Sequence, residues 1–157
     1  MTSYRVRRAT LDDAAILARH RNDMFVDMGV ELDAPVLAEQ FVAWLHINMP
    51  AGSYHAWVAE TGEGGIVAGG GITVIPWPPG PRYPGGRIAY VYNVYTEPPH
   101  RGRGLAHQIM DAIHEFCVAA GISSAALNAS RLGLPLYESM GYRVTESPMM
   151  FIGDLKV

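Results

Sequence analysis

The run Val94-Tyr95-Thr96-Glu97-Pro98-Pro99-His100-Arg101-Gly102-Arg103-Gly104-Leu105-Ala106 decides how this chain is read. An apolar segment stops at a proline pair, turns through two glycines and feeds a segment with helical periodicity. The first N–H groups of an α-helix have no intrahelical partner, and the helix dipole places partial positive charge there. Gly102 and Gly104 let the main chain approach an anion without an intervening Cβ, and small Ala106 keeps the next turn open. The chemistry describes an anion cradle suited to a phosphate or pyrophosphate. A Walker loop would end in Gly-Lys-Ser/Thr, and no lysine stands here. A dinucleotide fingerprint would need glycine where His107 stands and would lie near the first strand. An ordinary glycine-containing strand-to-helix turn is the plain alternative.

Immediately upstream, residues 87–96 are apolar on both alternating sets (Ile88, Tyr90, Tyr92, Val94; Ala89, Val91), as in a central strand covered on both faces. Downstream, Leu105, Ile109, Ile113, Phe116, Cys117 and Ala120 share one stripe, predicting a helix over 104–120 that Gly121 stops. Further out, residues 4–9 read as a first strand. Thr10 and Asp12 cap a helix over 12–26, and Asp33 with Pro35 starts a second helix carrying Leu37, Phe41, Trp44 and Leu45 on a stripe. Residues 54–60 and 66–75 read as strands joined by a turn, with Gly69-Gly70-Gly71 permitting close packing or a bulge. The proline- and glycine-rich segment 76–86 is a long loop. A short strand over 124–128 and a short helix from about Leu134 follow, with Gly141 ending the helix. Residues 142–145 and 149–152 read as a closing strand pair. The order β-α-α-β-β-β-α-β-α-β-β is mixed α/β.

Bulk properties agree with one compact domain over residues 1–157. A chain of 157 residues buries roughly 68–70% of its unfolded surface. At 49% hydrophobic and 17% charged, it has the material for a sizeable core. A net charge of −3 gives no basic face for a nucleic-acid partner. Cys117 is the only cysteine, so no internal disulfide forms. No apolar leader follows the N-terminus, and apolar runs break well short of the ~18 residues of a membrane span, so the expectation is a soluble cytoplasmic protein.

Val94-Tyr95-Thr96-x-Pro-x-x-Arg101-Gly102-Arg103-Gly104-x-Ala106 resembles motif A of the GNAT (GCN5-related) N-acetyltransferases, whose core is Arg/Gln-x-x-Gly-x-Gly/Ala. Leu127-Asn128-Ala129-Ser130, then Leu136-Tyr137-Glu138-x-x-Gly141-Tyr142, is similar to the family's motif B. The two motifs lie in the right order, and the element order matches over nearly the whole chain. The resemblance implies a GNAT fold: a mixed, mostly antiparallel central sheet of about seven strands with four helices, splayed at its two central strands. It implies that the backbone of Val94, Tyr95 and Thr96 pairs with the pantetheine arm of acetyl-CoA. Main-chain amides of Arg101, Gly102, Arg103, Gly104, Leu105 and Ala106 would hold the pyrophosphate. Asn128 would contact the cofactor arm, and Tyr137 would protonate the departing thiolate. The implied activity is direct acetyl transfer from acetyl-CoA to an amine of a small-molecule or peptide acceptor, without a metal. No membrane or nucleic-acid partner is implied, and a homodimer is common in the family. A non-catalytic acyl-CoA-binding or sensing domain of the same fold is the alternative.

The chemistry sets two demands. A lysine-like amine with pKa about 10.4 costs ~4.6 kcal/mol to deprotonate at pH 7, so a base or water relay is needed. A phenol near pKa 10 gives a proton to a thiolate near 8.5 uphill by ~2 kcal/mol, a gap that a helix dipole acting on Tyr137 would narrow. Many relatives carry a Glu on the central strand, but residues 87–96 hold no acid. Glu97 lies just beyond and reads as solvated, while Tyr90, Tyr92 and Asn93 could order a water chain or pack in the core. No base is assigned. His107, Asp111 and His114 share a helix face read as solvated rather than metal-binding, and Cys117 reads as core. His100 faces either phosphate or solvent. Asp23, Asp27, Glu31 and Asp33 either greet a cationic amine or cap and solvate helices. Trp77 marks the 76–86 loop as a candidate flank of the acceptor slot or a dimer contact.

Overall fold

The computed structural model describes residues 2–147 and 150–155. Its strands are β1 (Tyr4–Arg8), β2 (Tyr54–Thr61), β3 (Ile66–Pro76), β4 (Arg87–Thr96) and β5 (Ala125–Leu127). Its helices are α1 (Ala14–Asp27), α2 (Ala34–Asn48), α3 (Leu105–Ala119) and α4 (Leu134–Ser139). The strands form one sheet in the order β1-β2-β3-β4-β5. All neighbours are antiparallel except β4 and β5, which run parallel.

Helices cover both faces. On one, the α3 stripe Leu105, Ile109, Met110, Ile113 and Cys117 packs on Ala68, Ile72, Ala89 and Val91, with Tyr137 of α4 at the margin. On the other, Ala14, Leu17 and Ala18 of α1 and Phe41 and Leu45 of α2 meet Tyr54, Ala56 and Val58 of β2. Each such fully buried aliphatic side chain contributes about 1.5–3 kcal/mol relative to exposure. Just before α1 a 3-10 turn over Leu11–Asp13 is held by the Asp13 carboxylate, which accepts the Thr10 amide at 2.8 Å. Asp33 caps α2 by accepting the Val36 amide at 3.3 Å.

Among the described residues the sheet has five strands where about seven are expected from the resemblance. Residues 142–145 and 150–152 carry no ladder, and Met149 lies outside the described residues. The alternation there was local only. β5 offers just three residues, ending its ladder at Leu127, too short an edge to hold further strands. Val144, Phe151 and Ile152 accordingly stay exposed. The 77–86 loop is closed by a Gly80–Tyr83 bridge, and Trp77, 41% exposed, packs edge-on against Tyr83.

Candidate active site

The site is centred on β4, where the sheet loses its regularity on both sides. Towards β5 the last paired residues are Val91 and Leu127. Beyond them the β5-side edge of β4 from Tyr92 to Thr96 has no ladder partner among the described residues. Towards β3 the register slips: Tyr92 opposes Gly71 and Tyr95 opposes Gly69, which leaves Asn93 and Val94 across from Gly70. This is a β-bulge, and such irregularities re-aim side chains and free backbone groups. Asn93 has φ 60°, and no other non-glycine among the described residues has positive φ. Gly70 is required here for a steric reason. A Cβ on it would lie 2.9 Å from Ile109 Cγ2 and 3.2 Å from Val94 Cγ2.

Past β4 the chain makes a 3-10 turn over Pro98–His100. The Arg101 amide donates back to the Pro98 carbonyl at 3.3 Å. Its guanidinium donates to the Thr96 carbonyl at 2.8 Å and to Asp27 at 2.5 Å, and lies 5.5 Å from the Tyr95 ring centroid. Arg101 is thus a clamp on the turn, and its amide is already engaged. The following amides are not. Gly102 and Gly104 take φ 73° and 75°, with open space where a Cβ would be. Gly104 caps α3 without a side-chain bond. Gly102, Arg103, Gly104, Leu105 and Ala106 donate to no protein acceptor among the described residues. These unpaired donors converge with the α3 dipole next to the open edge of β4, a fit for a diphosphate and the arm attached to it.

Tyr137 is 9% exposed, its ring edge-on to Tyr142 at 5.9 Å, and a Cβ on Gly133 would touch the ring at 3.0 Å. The expectation that a helix dipole lowers its pKa is corrected here. The helix α4 has only six residues, and burial pushes the phenol up from its ordinary value. Asn128 is exposed just past β5, near the Tyr90 hydroxyl.

The α1–α2 face holds a polar network that the sequence reading did not assemble. Arg21 Nη1 donates to Asn93 Oδ1 at 2.5 Å, and Asn93 Nδ2 donates to the Tyr54 hydroxyl at 3.0 Å. The Tyr54 ring lies over Gly71, where any Cβ would collide with it. Burial pushes the Tyr54 phenol up to about 12. His20, 2% exposed, bonds Glu97 Oε1 through Nε2 at 3.0 Å, and Arg19 bonds the same oxygen. Glu97 is therefore held between two helix side chains rather than solvated. His20 Nδ1 is buried with no partner. It borders a space of about 10 Å³ shared with Tyr54, Gly69, Gly70 and Asn93, room for about one water. Burial lowers the His20 pKa, against the opposing pull of Glu97. The signal for this network was present in α1. Arg21 and Asn22 continue the buried stripe of Ala14, Leu17 and Ala18 at helical spacing, as polar residues where apolar ones belong.

The remaining candidates resolve individually. Asp27 pairs with Arg101, Asp23 lies 3.9 Å from Arg19, and Asp33 is a cap. His107 and Asp111 form an exposed pair at 2.9 Å, while His114 bonds the Tyr142 hydroxyl at 2.8 Å. His100 Nδ1 bonds the Tyr4 hydroxyl at 2.9 Å. Cys117 is buried, and burial raises its thiol pKa. No helix among the described residues is long and apolar enough to cross a membrane.

Known proteins share this fold. Residues 52–144 match the family model described as the acetyltransferase (GNAT) domain. The chain belongs to the GNAT acetyltransferase family. A GCN5-related N-acetyltransferase from Ralstonia eutropha JMP134 is 36% identical with TM-score 0.84, over 96% of this chain and 99% of that one. A predicted acetyltransferase from Clostridium acetobutylicum, crystallised with acetyl-CoA, is 28% identical with TM-score 0.84, over 97% and 96%. Glucosamine 6-phosphate N-acetyltransferase of Trypanosoma brucei brucei is 32% identical over 66 residues, 41% of this chain and 45% of that protein, so the match spans less than half of that relative.

Proposed function

We propose that this protein transfers the acetyl group of acetyl-CoA to a primary amine by direct attack in a ternary complex. The observation that carries the proposal is the row of unpaired amides from Gly102 to Ala106 at the start of α3, beside the unpaired edge of β4. In this reading those amides hold the diphosphate, with the Arg101 clamp shaping their turn. The backbone of Val94, Tyr95 and Thr96 takes the pantetheine arm in the place of a missing neighbour strand, and Asn128 flanks that arm.

The amine nitrogen bonds to the thioester carbonyl carbon, the carbon–sulfur bond breaks, and the sulfur leaves as thiolate. Tyr137 supplies the proton that the thiolate takes. Its burial keeps it protonated at neutral pH. The same dry surroundings raise the thiol's pKa as well, so the two need not move apart. The amine proton passes to a water, for which the space beside Asn93, Tyr54 and His20 has room.

Calorimetry with acetyl-CoA, CoA and ATP tests the binding half of the proposal. Acetyl-CoA and CoA should bind and ATP should not. A thiol-release assay over a panel of amines tests the other half. Binding without turnover of any amine would instead favour a sensing role, and no binding would remove both.

A further inference from the structure

The acceptor itself is constrained by the charges lining the α1–α2 face, given the transferase reading above. Around the bulge nearly every charge is matched. Arg19 is neutralised by Glu97, Arg101 by Asp27, and Arg7 by Asp13 and Glu60. Arg8 on β1, which lies over Trp57 and Phe116 and bonds His55, has no such match, and nor does Arg21 beside the bulge. The Arg21 guanidinium is half-buried, 4.8 Å from the Phe25 ring centroid and 5.0 Å from that of Phe41. Its hydrogen-bond partner is the neutral Asn93 side chain, and no carboxylate among the described residues lies within ion-pair distance of it. Burial pulls its pKa down, with Tyr54 and Tyr92 pulling the other way.

A guanidinium has five N–H donors in a planar fork that matches carboxylate and phosphate. Contact with the Phe25 and Phe41 rings and the bond to Asn93 hold the fork in place. Most of the acids that could have recruited a cationic body are engaged, Asp27 and Glu97 by arginines, Asp23 near Arg19 and Asp33 by the Val36 amide, and Glu31 alone of them has no side-chain partner among the described residues.

We infer that Arg21 is an acceptor-binding residue and that the acceptor is a small amine carrying a carboxylate or phosphate, which pairs with its free guanidinium edge. Since Asn93 sits in the bulge and touches Arg21, the anionic group and the reacting nitrogen lie only a few bonds apart. Tyr92, 37% exposed and tilted against Tyr90 at 4.7 Å, lies close enough to Arg21 to interact with it.

The test uses matched pairs in the thiol-release assay: β-alanine against 3-aminopropanol, phosphoethanolamine against ethanolamine, and glucosamine 6-phosphate against glucosamine. At least one anionic member should exceed its neutral partner in kcat/KM by about 10–100-fold. The pairs separate carboxylate from phosphate. In Arg21→Gln that ratio should collapse towards one, mainly through KM for the anionic member, with the Kd for acetyl-CoA unchanged. Arg21→Lys should recover part of it. Equal turnover within every pair overturns the inference. So does an Arg21→Gln loss of the same size on both members, which would make Arg21 a brace for Asn93. If no member is acetylated, calorimetry of the CoA-bound protein with the three anionic members decides, and absence of binding by all three overturns it. Failure of acetyl-CoA itself to bind would strike the transferase reading instead and take the acceptor site with it.

Discussion

Replacing Gly104 with alanine separates the folding role of the phosphate turn from its binding role. Gly104 sits at φ 75° as the N-cap of α3, with nothing within 4 Å of where a Cβ would project. The substitution therefore creates no clash inside the protein. Its folding cost is the left-handed conformation alone, about 1–2 kcal/mol for an L-residue. For a chain of 157 residues that lowers Tm by about 2–8 °C. The binding cost is of a different kind. The empty space beside Gly104 is where an anion would approach the Gly104 and Leu105 amides, and a methyl group there holds it off. Loss of one charge-assisted hydrogen bond costs about 1.5–3 kcal/mol, or roughly ten- to a hundredfold in Kd. Thermal unfolding and calorimetry with acetyl-CoA, run on wild type and Gly104→Ala, read the two costs independently. A variant that melts a few degrees early yet binds acetyl-CoA with wild-type affinity would refute the close-approach argument, because the strain would be present and the crowding would not matter.

Three further outcomes follow from other parts of the molecule. Ile109→Ala removes a fully buried side chain between α3 and Gly70 and should cost about 2–5 kcal/mol by denaturant unfolding. A cost under 1 kcal/mol would show that the bulge collapses into the space. Tyr137→Phe should keep acetyl-CoA binding by calorimetry and lose kcat, and unchanged turnover would remove the phenol from the mechanism. The Asp13 carboxyl is held below its ordinary value of 3.8, chiefly by hydrogen bonds from Arg7. Its folded pKa is depressed, so its stabilisation is present above about pH 4 and is lost as pH falls through the folded value. Asp13→Asn should therefore lose about 1–2 kcal/mol at neutral pH and show a flatter acid limb in Tm against pH. A limb as steep as wild type would place the acid sensitivity elsewhere.

Much of the architecture was legible because local rules and the fold agree. The α3 stripe, the doubly apolar β4 and the glycines of the 102–104 turn each announce themselves through period or conformation. The Asp33-Pro35 start of α2 was likewise readable from capping chemistry. The closing strand pair was misread for the opposite reason. Alternation in residues 142–145 promises a strand only if a long edge stands ready to receive it, and β5 ends after three residues.

The sequence by itself determined the family-defining turn: which backbone can approach an anion depends on missing Cβ atoms, a property of single residues. It could not determine the polar network between α1 and β4. Arg21, Asn93 and Tyr54 lie 72 and 39 positions apart along their bonded chain, and Glu97 reaches His20 across 77. Whether an arginine is matched by an acid, or a glutamate is solvated, is decided by which partners come within about 4 Å. Only the packing of α1 against the bulged β4 sets those distances.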